Sequence, residues 1–263
     1  MMKRYVRIPE RPARFLFFSV VVLILSLTAS CSSKKEVRPE GEFNAEKSLA
    51  MANDLVEKKE YDNARKLLVE VKNRDLTKTY APIAQLKIAD SYAKEEENDL
   101  AVEEYRRFLE IYPDNRNAPY AQYQIAMVYF SQIESAERGF GAAAKALEEF
   151  EKLKRMFPRN PYKDVIEIRI EKCRETIADY EFLVGEFYFK KGAYNAALNR
   201  FKGLLSKYPD YKKEAVVLYH MGLCFKSTGE KDKALEYLNL LVGKYPNDPI
   251  VKNATKEIAA LSK

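Results

Sequence analysis

Small residues recur along this chain at intervals that paired helices would set. Ala52, Ala89, Ala126, Gly185 and Gly222 form one series, and three residues after each stands a large apolar side chain: Leu55, Tyr92, Tyr129, Tyr188 or Phe225. A second series, Ala64, Ala101, Ala146, Ala197 and Ala234, is followed four residues later by Leu68, Tyr105, Phe150, Phe201 or Leu238. Offsets of three and four return to one face of a helix, so each block predicts two amphipathic helices in succession. The first series is spaced 37, 37, 59 and 37 residues, the second 37, 45, 51 and 37. Eight extra residues inside the third block and fourteen after it reconcile the two. No alternating β-branched run reaches strand length, and the prolines fall at element boundaries.

Four blocks end almost alike, in EIYPDN (110–115), RMFPRN (155–160), SKYPDY (206–211) and GKYPND (243–248). Small residues let two helices approach closely, large ones fill the groove beside them, and proline opens the next turn where no backbone N–H is needed. Gly192 and Gly229 fall between the paired helices, where a left-handed residue is wanted. A period of about 37 built this way resembles the tetratricopeptide repeat. The resemblance implies an all-α fold, a right-handed α-solenoid of five helix hairpins presenting the first helix of each hairpin on its concave face.

Between repeats three and four, Asn160 to Gly192 reads as one long helix. Asn160 is suited to cap it and Pro161 to open it, and Ile166, Ile170, Cys173 and Ile177 make a single stripe. Such a strut would run directly into the first helix of repeat four. The expected organisation is repeats one to three over 43–158, a connecting strut over 159–178, and repeats four and five with a C-terminal helix over 179–263.

The first forty residues follow a different pattern. Five basic residues and one acid precede the apolar run FLFFSVVVLILSL (15–27), which is too short for a comfortable bilayer span. A basic segment, a short apolar core and small residues before a cut make a secretory leader, here 1–30. LTASCSS (27–33) resembles a bacterial lipobox, which implies cleavage before Cys31 and lipid attachment to that cysteine. A polar tether would follow over 31–42. Neither Ser32 nor Ser33 is an aspartate, which by analogy with enterobacterial sorting favours the outer membrane.

Charge then changes the picture little. The chain holds 45 Lys and Arg against 39 Asp and Glu; the leader takes five of the former and one of the latter, leaving 40 and 38. That balance offers no footprint for nucleic acid. The one histidine, His220, has no neighbours at ligand spacing, so no metal site is expected. RGFGAAAKA (138–146) lacks the ending of a phosphate loop. Glu134-Ser135 resembles the acid pair of periplasmic transglycosylases without their surrounding motifs, and a polar loop is its expected role. Cys173 and Cys224 read as small apolar packers on helices, the alternative being a disulfide between them. No cofactor is expected apart from the lipid on Cys31, and no catalytic residue.

Lipobox, five repeats, an insertion in the third and a strut before the fourth together resemble the BamD family of outer-membrane β-barrel assembly. The likeness is closest in CRETIADYEFLVGEFYFKKGAYNAALNRFKGLLSKYP (173–209). It implies a lipoprotein scaffold on the periplasmic face of the outer membrane. Its partners would be the POTRA domains of BamA, other lipoproteins of that machinery, and unfolded outer-membrane proteins held by the N-terminal repeats. Arg200 matches the family arginine that pairs with an acidic residue of BamA, a task that suits a guanidinium fork. The alternatives are a pilotin-like repeat lipoprotein serving secretin or pilus assembly, and a regulator of peptidoglycan hydrolysis.

Overall fold

A computed structural model describes residues 43–263; Cys31, the leader and the tether lie outside the described residues. The described chain forms eleven α-helices and no strand. They are α1 (Ala45–Glu57), α2 (Tyr61–Arg74), α3 (Ala81–Lys94), α4 (Asn98–Ile111), α5 (Ala118–Ser131), α6 (Ala136–Met156), α7 (Lys163–Lys190), α8 (Tyr194–Lys207), α9 (Glu214–Ser227), α10 (Lys231–Lys244) and α11 (Val251–Leu261). Each packs chiefly on its neighbours in sequence, as a stacked array of hairpins does. Among the described residues no helix is long and apolar enough to cross a membrane.

The two small-residue series are where paired helices touch. Ala52, Ala64, Ala89, Ala101, Ala126, Ala146, Ala197 and Ala234 are all essentially inaccessible to solvent. The glycines mark the tightest approach. A Cβ on Gly185 would stand 2.8 and 2.9 Å from Cδ1 and Cζ of Phe201, and one on Gly222 would lie 2.7 Å from Cγ of Leu238. Helix α7 therefore rests on the Phe201 ring and α9 on Leu238, the partners that the second series supplies.

Four hairpins turn in three residues, and their middle residue is left-handed: Lys59, Glu96, Gly192 and Gly229, with φ of 61, 64, 74 and 81°. In each, the next N–H reaches back to the large residue of the first helix. Glu60 donates to the Leu55 carbonyl at 2.8 Å, Glu97 to Tyr92 at 3.0 Å, Ala193 to Tyr188 at 3.0 Å and Glu230 to Phe225 at 2.9 Å. This is the Schellman ending of a helix, for which glycine is the low-strain residue. Repeats one and two use Lys and Glu there, so glycine spacing marks only the last two turns.

Repeat one lacks the aromatic-proline ending, and Asp75 takes over its work. Its carboxylate accepts from the Thr77 N–H (3.1 Å) and hydroxyl (2.6 Å) and from the N–H groups of Tyr80 (2.5 Å) and Ala81 (2.8 Å). These bonds, the Thr77 hydroxyl foremost, hold the Asp75 carboxyl below its ordinary range.

The extra residues of repeat three are mostly helical: α6 has 21 residues where the other second helices have 14. Helix α7 has 28 residues and runs unbroken through Ile166, Ile170 and Cys173, buried against α6, to Gly185 on α8. It begins at Lys163, two residues later than a start at Pro161 would give. Asn160 accepts from the Tyr162 N–H at 2.9 Å and donates to the Phe157 carbonyl at 2.7 Å, closing a local turn that occupies the capping side chain.

Candidate functional site: the repeat-four flank

Arg200 lies on α8, three residues after Ala197. Its Nη1 meets Oε2 of Glu181 at 3.2 Å, and Glu181 lies on α7, four residues before Gly185. The same two register positions hold a polar pair in the preceding repeats with the charge on the other side. In repeat two the Gln85 amide donates to the Glu104 carboxylate. In repeat three the Gln122 amide donates to Glu149 Oε2 at 2.7 Å and to the Glu149 carbonyl at 3.1 Å. Repeat one has Ser48 and Leu67 at these positions, and repeat five Leu218 and Tyr237.

These pairs differ in what they leave open. Glu104 also takes Arg107 at 2.6 Å and Glu149 takes Arg106 at 2.8 Å, and their side chains are 14% and 8% exposed. The repeat-four pair is held by a single contact, with Glu181 19% and Arg200 47% exposed. A guanidinium carries five N–H donors, and the contact with Glu181 engages one nitrogen of Arg200. So wet an ion pair stabilises the fold by no more than about 1 kcal/mol.

The neighbourhood of the pair is closely packed and hydrogen-bonded. Below it, Phe201 packs on Phe182 (centroids 6.0 Å apart) and against the His220 ring at 5.7 Å. Beside it, the α8–α9 turn is fastened to α7: the Tyr211 hydroxyl donates to Asp179 at 2.6 Å, Lys213 to Asp179 at 2.8 Å and Lys212 to Glu175 at 2.9 Å. Burial, then the nearby Glu181 charge, raises the Tyr208 phenol above its ordinary value. A cavity of about 340 Å³ opens beside Tyr208, with Arg174, Lys207 and Asp210 in its wall.

A second surface lies on the first helices of repeats one and two. A shallow cavity of about 240 Å³ is lined there by Asn53, Glu57, Lys87, Asp90 and Lys94, among others. Lys87 donates to Asn53 at 2.7 Å, and Asp90 accepts from the Tyr105 and Tyr120 hydroxyls at 2.5 and 2.9 Å. Burial outweighs those bonds and raises the Asp90 carboxyl above its ordinary value.

The other chemistry-bearing residues are placed as follows. His220 Nδ1 is 2.8 Å from the Val216 carbonyl, and its Nε2 is 3.8 Å from Glu186. Glu134 is exposed in the α5–α6 loop and pairs with Arg138 at 3.1 Å. Cys173 and Cys224 are free thiols in separate apolar clusters, and burial pushes them up to about 11 and about 12. Among the described residues no three His, Cys, Asp or Glu side chains come together to hold a metal. Sequence reasoning had picked out Arg200 and missed Glu181. The signal was present: a fixed register, four before the small residue of one helix and three after that of the next, carries the polar pair in repeats two, three and four.

The fold is a tetratricopeptide-type array of helix hairpins. Residues 44–238 match the model of the YfiO family, outer membrane lipoprotein, and the chain belongs to that family. It is 27% identical to the outer membrane protein assembly factor BamD of Neisseria gonorrhoeae over 247 residues, 89% of this chain and 92% of that protein. To the BamD of Rickettsia prowazekii it is 25% identical, over 87% of this chain and 91% of the relative. Among solved structures, the TPR2AB domain of yeast Sti1 covers 82% of this chain, with 86% of its own length, at a TM-score of 0.46 and 15% identity.

Proposed function

We propose that this chain is a lipid-anchored, non-catalytic scaffold of outer-membrane protein assembly, tethered through Cys31 to the periplasmic face of the outer membrane. Its repeat-four flank docks on the POTRA domains of BamA, with Arg200 as the anchoring cation. The first-helix face of repeats one to three receives unfolded outer-membrane proteins, and further lipoproteins of the machinery join on other faces. Membership of the YfiO family and likeness to assembly factors over nearly the whole chain support this reading. The observation that carries the docking site is the half-exposed guanidinium of Arg200, held by a single contact to Glu181. A planar fork of this kind suits a carboxylate offered across an interface.

The test is a titration of soluble residues 32–263 against the POTRA domains of BamA from the same organism. Arg200→Glu is expected to weaken binding by at least about 30-fold, since losing one side of such an interfacial charge pair costs roughly 2 kcal/mol or more. Helicity should be unchanged. Absence of binding by the parent protein, or equal binding by the variant, would overturn the docking assignment.

A further inference from the structure

We infer that Glu181 is the positioning residue of the docking site: it holds the Arg200 guanidinium by one nitrogen and presents the opposite edge to an incoming carboxylate. The inference rests on the docking role proposed for Arg200 and adds a second residue, on another helix, that no property of Arg200 requires.

Three observations carry it. First, the pair occupies a register that recurs: in repeats two and three the same positions close a hairpin with a carboxylate from the second helix and an amide from the first. Only repeat four of these three places the cation on the second helix and the carboxylate on the first. Second, the repeat-two and repeat-three carboxylates each take an arginine in addition to the amide, whereas in repeat four Arg200 meets Glu181 alone among the described residues; at 47% it is about as exposed as Arg107 and Arg106, at 43% and 54%. In repeat four the register position itself, and not an added residue, carries the half-exposed cation. Third, the backbone that carries Glu181 is held in place. Glu181 lies on the 28-residue α7, one turn from Gly185, where that helix is seated on the Phe201 ring, and it is only 19% exposed.

An arginine side chain loses rotamer freedom when a partner immobilises it, which weakens binding. A residue that already holds it in place removes part of that cost before the partner arrives. The chemistry also sets specificity. With one edge committed to Glu181, the free edge takes a planar, two-oxygen acceptor, so the partner group is an aspartate or glutamate carboxylate. A lysine at position 200 would keep the charge and lose the two-edged geometry.

The experiment is a double-mutant cycle read by titration against the POTRA domains of BamA, using the parent protein, Glu181→Ala, Glu181→Gln, Arg200→Ala and the Glu181→Ala/Arg200→Ala pair. Glu181→Ala is expected to weaken binding about three- to tenfold. Glu181→Gln, which keeps the acceptor oxygen and the volume, should recover most of the loss. In the Arg200→Ala background, Glu181→Ala should change nothing further, because Glu181 acts only through the arginine. A merely structural Glu181 would weaken binding in both backgrounds, and that result overturns the inference. So does tighter binding by both Glu181 variants, which would make Glu181 a competitor for the arginine. Should the alanine variant lose helicity, the glutamine variant and Arg200→Lys still decide: the inference requires near-parent binding by the first and a loss by the second. If the parent fails to bind, or Arg200→Ala binds as well as the parent, the docking reading falls as well. If Arg200→Ala weakens binding and Glu181→Ala does not, this inference alone is lost.

Discussion

Replacing Gly185 by alanine tests the packing that seats the repeat-four flank. The added Cβ would fall under 3 Å from three ring carbons of Phe201, and that ring is fully buried. Two opposing effects set the outcome. Alanine is favoured over glycine inside a helix by about 1 kcal/mol. Forcing a methyl into a filled core costs about 1–3 kcal/mol, depending on how far the surroundings yield. Repeat three accommodates Ala126 with Phe150 at the equivalent positions, so some spacing of the two helices does accept this pair. Repeat four has less freedom to find it. Its first helix is the second half of α7, whose first half is bound to α6 through Ile166, Ile170 and Cys173, and the Phe201 ring is confined by Phe182 and His220. The overpacking cost therefore sits in the upper part of its range and the net loss is about 1–2 kcal/mol. For a domain of this size that is a fall in Tm of about 2–8 °C. Thermal unfolding followed by circular dichroism measures it. Gly185→Ala/Phe201→Leu recreates the Ala52 and Leu68 pair of repeat one and should regain part of the loss beyond the additive expectation. A Gly185→Ala protein as stable as the parent would show that α7 shifts freely, and the account of it as a rigid support would be wrong.

Two further outcomes follow from other parts of the molecule. Asp75 is held below its ordinary pKa, so its stabilising contribution is fully present above its unfolded value near 3.9 and is lost as the pH falls through its lower folded value. Asp75→Asn should accordingly speed hydrogen exchange at the Tyr80 and Ala81 amides at neutral pH, with the difference from the parent closing as the pH falls through the lowered folded value; equal exchange at pH 7 would refute the capping role. Cys173 and Cys224, with thiols raised to about 11 and about 12, should resist alkylation at pH 8, where roughly one in a thousand or fewer is ionised, and both should label at once in denaturant. Rapid labelling of the folded protein would show that the clusters around them open.

How far the chain could be read without its structure depended on whether a feature was periodic. The hairpins were legible because burial of Ala89 under Tyr105, or of Gly185 under Phe201, imposes small and large residues at fixed offsets, and offsets are visible in one dimension. Family membership was legible for the same reason in the 173–209 stretch, where Arg200 stands. Other features were decided only in three dimensions. Turns at Lys59 and Glu96 adopt left-handed backbone without the glycine that would announce it, because the Schellman bonds to Leu55 and Tyr92 hold them there. Asp75 replaces a missing proline through four hydrogen bonds, a role that its one-letter code does not disclose. The start of α7 moved to Lys163 because Asn160 spends its side chain on a local turn. Glu181 acquired its meaning only when α7 and α8 lay side by side: 19 residues separate it from Arg200, and the pairing depends on the rotation of two helices about the Gly185 and Phe201 contact. Sequence fixes which faces must be buried, because water acts on every apolar side chain alike. Which polar groups then meet, and which are left facing outward for a partner, depends on distances of an ångström between elements, and those exist only in the folded chain.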